Sequence, residues 1–144
     1  MTDAGDPIRV AYHQLFSGLT HEGKSIGVYA LMAPSDAIAP YVIVGPWVAR
    51  SENTKTTFRQ EGEITLDVVT RFLGGAGSTV PAAEIANELT RRIKSTLNST
   101  LDTLSMGQNN WLTVIANISD LALQTKTDLI IRKIITVRHS FKQV

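Results

Sequence analysis

The sequence predicts an α+β domain: a mainly antiparallel sheet of about five strands with two helices packed against it. Two stretches carry apolar residues at helical spacing, one near each end of the first two thirds of the chain. Several others are β-branched or alternate apolar with polar residues, as half-buried strands do. The later strand pairs are joined through turns, and such connections make antiparallel neighbours, whereas parallel ones need long crossovers.

The elements follow in order. Asp6 is an N-cap candidate with Pro7 in the first helical position, and Ile8, Ala11, Tyr12 and Leu15 then share one face. This helix ends near Phe16 and Gly18. Residues 25–31 form a short strand candidate weakened by Gly27, and residues 32–39 read as a loop. Residues 41–49 form a strong strand in which Pro46 lacks a ladder donor, so an edge position or a bulge is expected there. Residues 50–62 are polar, with Phe58 the one strongly apolar side chain, and read as a long loop or arm.

Residues 63–72 alternate, with Ile64, Leu66, Val68 and Phe72 on one face and Thr65, Asp67 and Arg71 on the other. After a glycine-rich gap, Pro81 opens a helix whose stripe is Ile85, Ala86, Leu89, Ile93 and Leu97, with Glu88 placed four residues before Arg92 for an ion pair. Residues 95–110 read as turns and loop. In 111–124 the apolar parity changes between Ile118 and Leu121, which places a bulge near Ser119 or Asp120. A tight turn at 125–128 leads to a long final strand over 129–141, rich in Ile, Val and Thr.

At 144 residues the chain suits one domain with a core that needs neither disulfide nor metal. Its 43% hydrophobic and 19% charged residues suit a folded chain, and a formal net charge of +1 gives no global attraction to nucleic acid, membrane or acidic substrates. The absence of cysteine removes disulfides and thiolate metal sites, and fits a reducing cytoplasm. The opening residues lack the pattern of a secretory signal, and no apolar run reaches the ~18 residues of a span. No membrane association is expected, and the two Asn-x-Ser/Thr sequons at Asn98 and Asn117 carry no weight without secretion.

The chemistry-bearing residues are sparse. His13, His21 and His139 fall on a helix, a loop and a strand end, without metal-pair spacing, and read as surface histidines. Glu61 and Glu63 flank an expected turn and face solvent. Residues 74–79, Gly-Gly-Ala-Gly-Ser-Thr, stand between strand and helix where phosphate loops occur, but lack Gly-Lys-Ser/Thr, and Val80 occupies the third glycine of the dinucleotide pattern. A flexible crossover is the favoured reading; a small nucleotide- or ligand-binding enzyme using Gly74 to Gly77 is the alternative from another class. No cofactor and no metal are expected.

Basic residues gather at the end: Lys126, Arg132, Lys133, Arg138 and Lys142 against Asp128. They suit either a solvated strand face or a protein interface; duplex recognition is disfavoured because no helix is basic enough to enter a groove. The final strand is apolar on both parities, Ile131, Ile135 and Val137 against Ile130 and Ile134, so both faces need cover. Either a partner or the first helix, packed on the far side, supplies the second cover.

Taken in order, the opening helix, the strand Pro40-Tyr41-Val42-Ile43-Val44-Gly45, the strand from Ile64 to Phe72, the helix with Ala83, Ile85, Ala86 and Leu89, and the closing strand through Ile134 to Phe141 resemble the tail terminator and tail completion family of long-tailed bacteriophages. The 50–62 loop, the glycine content of 74–77 and the longer, more apolar final hairpin depart from the family pattern. The resemblance implies a non-catalytic virion protein, assembled in the host cytoplasm, that closes into a ring, usually a hexamer, capping the tail tube and joining it to the head connector or stopper. Its implied partners are copies of itself, the tube protein, the connector, and DNA passing through the lumen. Another ring below the portal, an adaptor or a stopper, is the nearest alternative. Within such a ring Lys55 and Arg59 are the candidate cationic contacts of the 50–62 loop, Trp47 and Trp111 are candidate anchors or core residues, and Arg132, Lys133 and Arg138 form the candidate basic interface.

Overall fold

The computed structural model describes residues 5–51, 58–73, 77–95, 103–104 and 108–143. Helix α1 spans Gly5–Leu15, and the short ladder of β1 (Thr20–His21) with β2 (Lys24–Ser25) follows. Then come β3 (Gly27–Ala30), β4 (Tyr41–Ser51), β5 (Phe58–Leu73), α2 (Val80–Ser95), β6 (Thr103–Leu104), β7 (Gln108–Gln124) and β8 (Asp128–Gln143). The main sheet has the order β3-β4-β5-β8-β7-β6. The α+β expectation stands, and the last strand of the chain lies in the middle of the sheet, paired along its length with β5 on one side and β7 on the other.

Both helices pack on one face of this sheet. The α1 stripe Ile8, Ala11, Tyr12 and Leu15 and the α2 stripe Ala82, Ile85, Ala86, Leu89 and Ile93 are buried with Val42, Val44, Ile64, Leu66, Val68, Ile135 and Val137. Each fully buried aliphatic side chain contributes roughly 1.5–3 kcal/mol of apolar transfer. Arg92 fixes the helices side by side: Nη1 donates to the carbonyl oxygens of Leu15 at 3.1 Å and Ser17 at 3.0 Å, which the end of α1 leaves without helical partners. Glu88 accepts from Arg92 Nε at 3.0 Å, the ion pair the i, i+4 spacing predicts. Packing of α1 on the far side of the sheet is therefore overturned.

Four expectations change in detail. Helix α1 starts at Gly5, so Asp6 lies inside its first turn. The loop expected over 50–62 is overturned at both ends, because β4 continues to Ser51 and β5 begins at Phe58, while residues 52–57 lie outside the described residues. The polar residues at the start of β5 are compatible with a strand since Glu61 and Glu63 lie on the face away from the helices and meet Arg138 there. One pair of strands is parallel: β3 runs beside β4 with Gly27 opposite Tyr41. The overlap is only four residues, so the crossover through 31–40 can be short. Strand β7 starts at Gln108, and its bulges fall between Asn110 and Leu112 and between Ile115 and Asn117, ahead of the expected position.

The bulge expected at Pro46 is present, as a register shift between Val44 and Trp47. It moves the buried parity of β4 from Val42 and Val44 to Trp47, whose indole lies across Gly62. A Cβ at Gly62 would sit 2.5 Å from the Val48 carbonyl oxygen and 2.7 Å from the Trp47 ring, so this position demands glycine.

Candidate interaction surface

The face of the sheet away from the helices carries the odd-numbered residues of β5 and the even-numbered residues of β8. Among the described side chains, Arg71, Arg132 and Arg138 stand on it and each meets a carboxylate across the β5–β8 ladder. Arg71 Nη2 lies 2.6 Å from Asp128, Arg132 holds Asp67 through both Nε and Nη2, and Arg138 Nη2 donates to Glu63 at 2.9 Å. Beside Asp67 the Arg132 guanidinium is pushed above its ordinary value, and so stays charged. Lys133 is on the opposite face and meets Asp120 of β7 at 3.2 Å. Of the basic cluster of the sequence, Arg132 and Arg138 lie on one face of the sheet and Lys133 on the other, and each of the three meets a carboxylate, which reduces the unbalanced charge these residues offer to phosphates.

Trp47 lies on the helix side, half-buried, with its ring centroid 5.6 Å from Phe141 and 6.3 Å from His139. Its Nε1 is buried without a hydrogen-bond partner among the described residues. Arg59 pairs through its backbone with Lys142 in the β5–β8 ladder, while Lys55 and Trp111's side chain lie outside what the structure describes.

His139 is fully buried, contrary to the surface reading. Tyr12 Oη lies 2.5 Å from Nε2 and Thr113 Oγ1 lies 3.1 Å from Nδ1. A neutral imidazole offers one donor and one acceptor, so these two hydroxyls satisfy both nitrogens. Burial pushes His139 down to about 4 and the Tyr12 hydroxyl well above its ordinary value, so both stay uncharged at neutral pH. The cluster ties α1 to β7 and β8. His21 is half-buried and meets Glu84 of α2 at 2.8 Å, while His13 is exposed.

The glycine segment shows a packing role at its described end. A Cβ on Gly77 would sit 2.5 Å from the Phe72 ring, and Ser78 Oγ accepts from the Val80 amide at 3.1 Å, occupying a donor at the start of α2. Residues 74–76 lie outside the described residues. No group of three metal-ligating side chains comes together among the described residues, and none of the described helices is long and apolar enough to cross a membrane.

Among the described residues, apolar side chains are open on two stretches that bear on assembly. The first is the 31–40 crossover, where Leu31 is 52%, Met32 78% and Ile38 85% exposed. Its inner side covers the upper part of the outer sheet face, so that Val69 is buried there, and encloses a hollow of about 310 Å³ floored by Tyr41, Val69, Ile130 and Arg132. The second is the outer half of β7, where Ile118, Leu121 and Leu123 are 47–57% exposed. Strand β6 pairs with β7 only at Asn109 and Gln108, so the rest of β7 is a free edge among the described residues. Proline and small residues mark 32–39 as a loop in the sequence, and the available signal for the first patch is the two large apolar side chains within it, Met32 and Ile38.

Fold and surface together define a six-stranded mixed sheet with both described helices on one face, arginine–carboxylate pairs on the other, and apolar groups open at the 31–40 crossover and the outer half of β7. No protein-family model matches the chain, and no curated protein does. Among solved structures, a chain in the virion of a native gene transfer agent particle shares the fold, with a TM-score of 0.66 at 16% identity over 94% of this chain and 96% of that chain.

Proposed function

We propose that this chain is a structural subunit of a phage-like virion, and within it the ring that terminates the tail tube and joins it to the head connector. The observation that supports the virion reading is the match in fold to a chain of a gene transfer agent virion, which covers 94% of this chain and 96% of that one. The tail-terminator role rests in addition on the order of elements that resembles that family. The open apolar patches support self-association, because exposed apolar area of this kind marks contact surfaces.

The mechanism is physical. Copies repeat one heterologous interface until the rotation closes, which ends growth of the tube and presents a new surface to the connector. A hexamer is the favoured number, with the tube protein on one side of the ring and the connector or stopper on the other. DNA passing through the lumen is the remaining proposed partner.

Native mass measurement of the purified chain, alone and with tube protein, tests this. The expected result is a closed species of about six chain masses that binds tube ends and stops their elongation. A protein that stays monomeric at all concentrations and ignores tubes overturns the reading. A ring that binds the connector but not the tube replaces the terminator with an adaptor or stopper.

A further inference from the structure

We propose that the subunit interface of the ring is made by the β7–β8 hairpin of one copy seated against the 31–40 crossover of the next. This rests on the ring reading and names the surfaces that would meet.

The hairpin is built to be covered. From Ala116 to Thr127 every residue is exposed, so the outer half of β7 and its turn project beyond the helices. Ile118 lies on the helix-side parity, opposite Ile135, while Leu121 and Leu123 lie on the other, opposite Arg132 and Ile130. The projecting segment is therefore apolar on both faces. Its edge is open as well, with no proline or glycine between Thr113 and Gln124 and one charge, Asp120, already paired with Lys133. Proteins that stay monomeric blunt such edges with charge, proline or short strands. The opposite side of the sheet is blunted in this way, by the four residues of β3 and by Pro46 in β4.

The crossover offers a matching surface. Leu31, Met32 and Ile38 supply apolar area, and the segment enters the sheet at Tyr41, in the same row as Leu121 through Val69 and Arg132. The two patches thus stand at one level of the sheet, separated by three strand spacings, ~14 Å. Charge completes the match. The crossover has one charged residue, Asp36, and the hairpin turn has Lys126 beside Asp128, which is already paired with Arg71. Asp36 and Lys126 are exposed and neither joins an ion pair among the described residues. Bringing the patches of neighbouring copies together pairs these opposite charges and covers both apolar sets.

The chain has no cysteine, which makes disulfide trapping specific. Asp36→Cys and Lys126→Cys are introduced singly and together in the full chain and oxidised at concentrations where native mass shows rings. The expected result is a ladder of covalent oligomers rising to the full ring for the double variant, and one covalent dimer band when the two single variants are mixed. Rings that form normally but give no covalent species overturn the interface while leaving the ring reading intact. A Lys126→Cys or Asp36→Cys dimer formed by a single variant alone, or a double variant that stops at dimers, shows a two-fold contact and overturns it too. Absence of any ring removes the ring reading first and this inference with it. As an independent arm, Asp36→Lys and Lys126→Glu should each weaken assembly about tenfold, and the double reversal should restore most of the loss. Equal weakening in all three variants, without restoration, also counts against the contact.

Discussion

Acidification should destabilise this protein through His139 well before its carboxylates protonate. The ring is fully buried among Tyr12, Trp47 and Phe141, and burial pushes its pKa down to about 4. In the unfolded chain it titrates near ~6.5. Between those values the unfolded state holds a proton that the native state does not, so stability falls as pH drops from about 6.5 to about 4, and His139 adds no pH dependence above that window. At about 1.4 kcal/mol per unit the full window amounts to roughly 3 kcal/mol, against a total of about 5–15 kcal/mol for an ordinary domain. Glu88, held down to about 2 first by its hydrogen bond from Arg91, loses its contribution only as pH falls below its ordinary range, so the two effects separate. Urea denaturation at fixed protein concentration and at several pH values between 7.5 and 4.5 reads the slope. The His139→Leu variant, which keeps His13 and His21, should lack this part of the slope while losing about 1–3 kcal/mol at pH 7.5 through the unpartnered hydroxyl of Tyr12. Parallel pH profiles for the two proteins across this window would refute the argument that the ring is buried and neutral.

Further perturbations test the packing. Gly62→Ala places a methyl group against the Val48 carbonyl and the Trp47 indole, and should lower stability by about 1–3 kcal/mol with a change in the tryptophan emission spectrum. Leu89→Ala, at a fully buried site of α2, should cost about 2–5 kcal/mol in denaturant unfolding. Arg132→Ala strands the mostly buried Asp67 but leaves it some access to water; a loss of about 1 kcal/mol is expected, and an unchanged urea midpoint would show that the pair is idle.

Much of the architecture was legible because local pattern and burial agreed. The two helical stripes named the core residues Ile8, Tyr12, Ile85, Ala86 and Leu89, and the alternation of Ile64, Leu66 and Val68 named the buried face of β5. The bulge at Pro46 followed from a missing amide. Reading failed where a partner distant in sequence changes what a residue needs. Glu61 reads as a loop residue until Arg138, 77 positions beyond it, is brought beside it and Glu63. His139 looked like a surface histidine because its partners Tyr12 and Thr113 lie on other elements.

The sequence by itself determined the α+β class, the helix stripes and the existence of a last strand with apolar residues on both faces, since these depend on periodicity along the chain. Only the tertiary structure decided that both helices occupy one side, that the last strand is central, and that the terminal arginines are neutralised. Those outcomes depend on which strands become neighbours, and neighbours are chosen by burial summed over the whole sheet. That sum left the 31–40 crossover and the outer half of β7 uncovered, and no local pattern marks a surface by what fails to cover it.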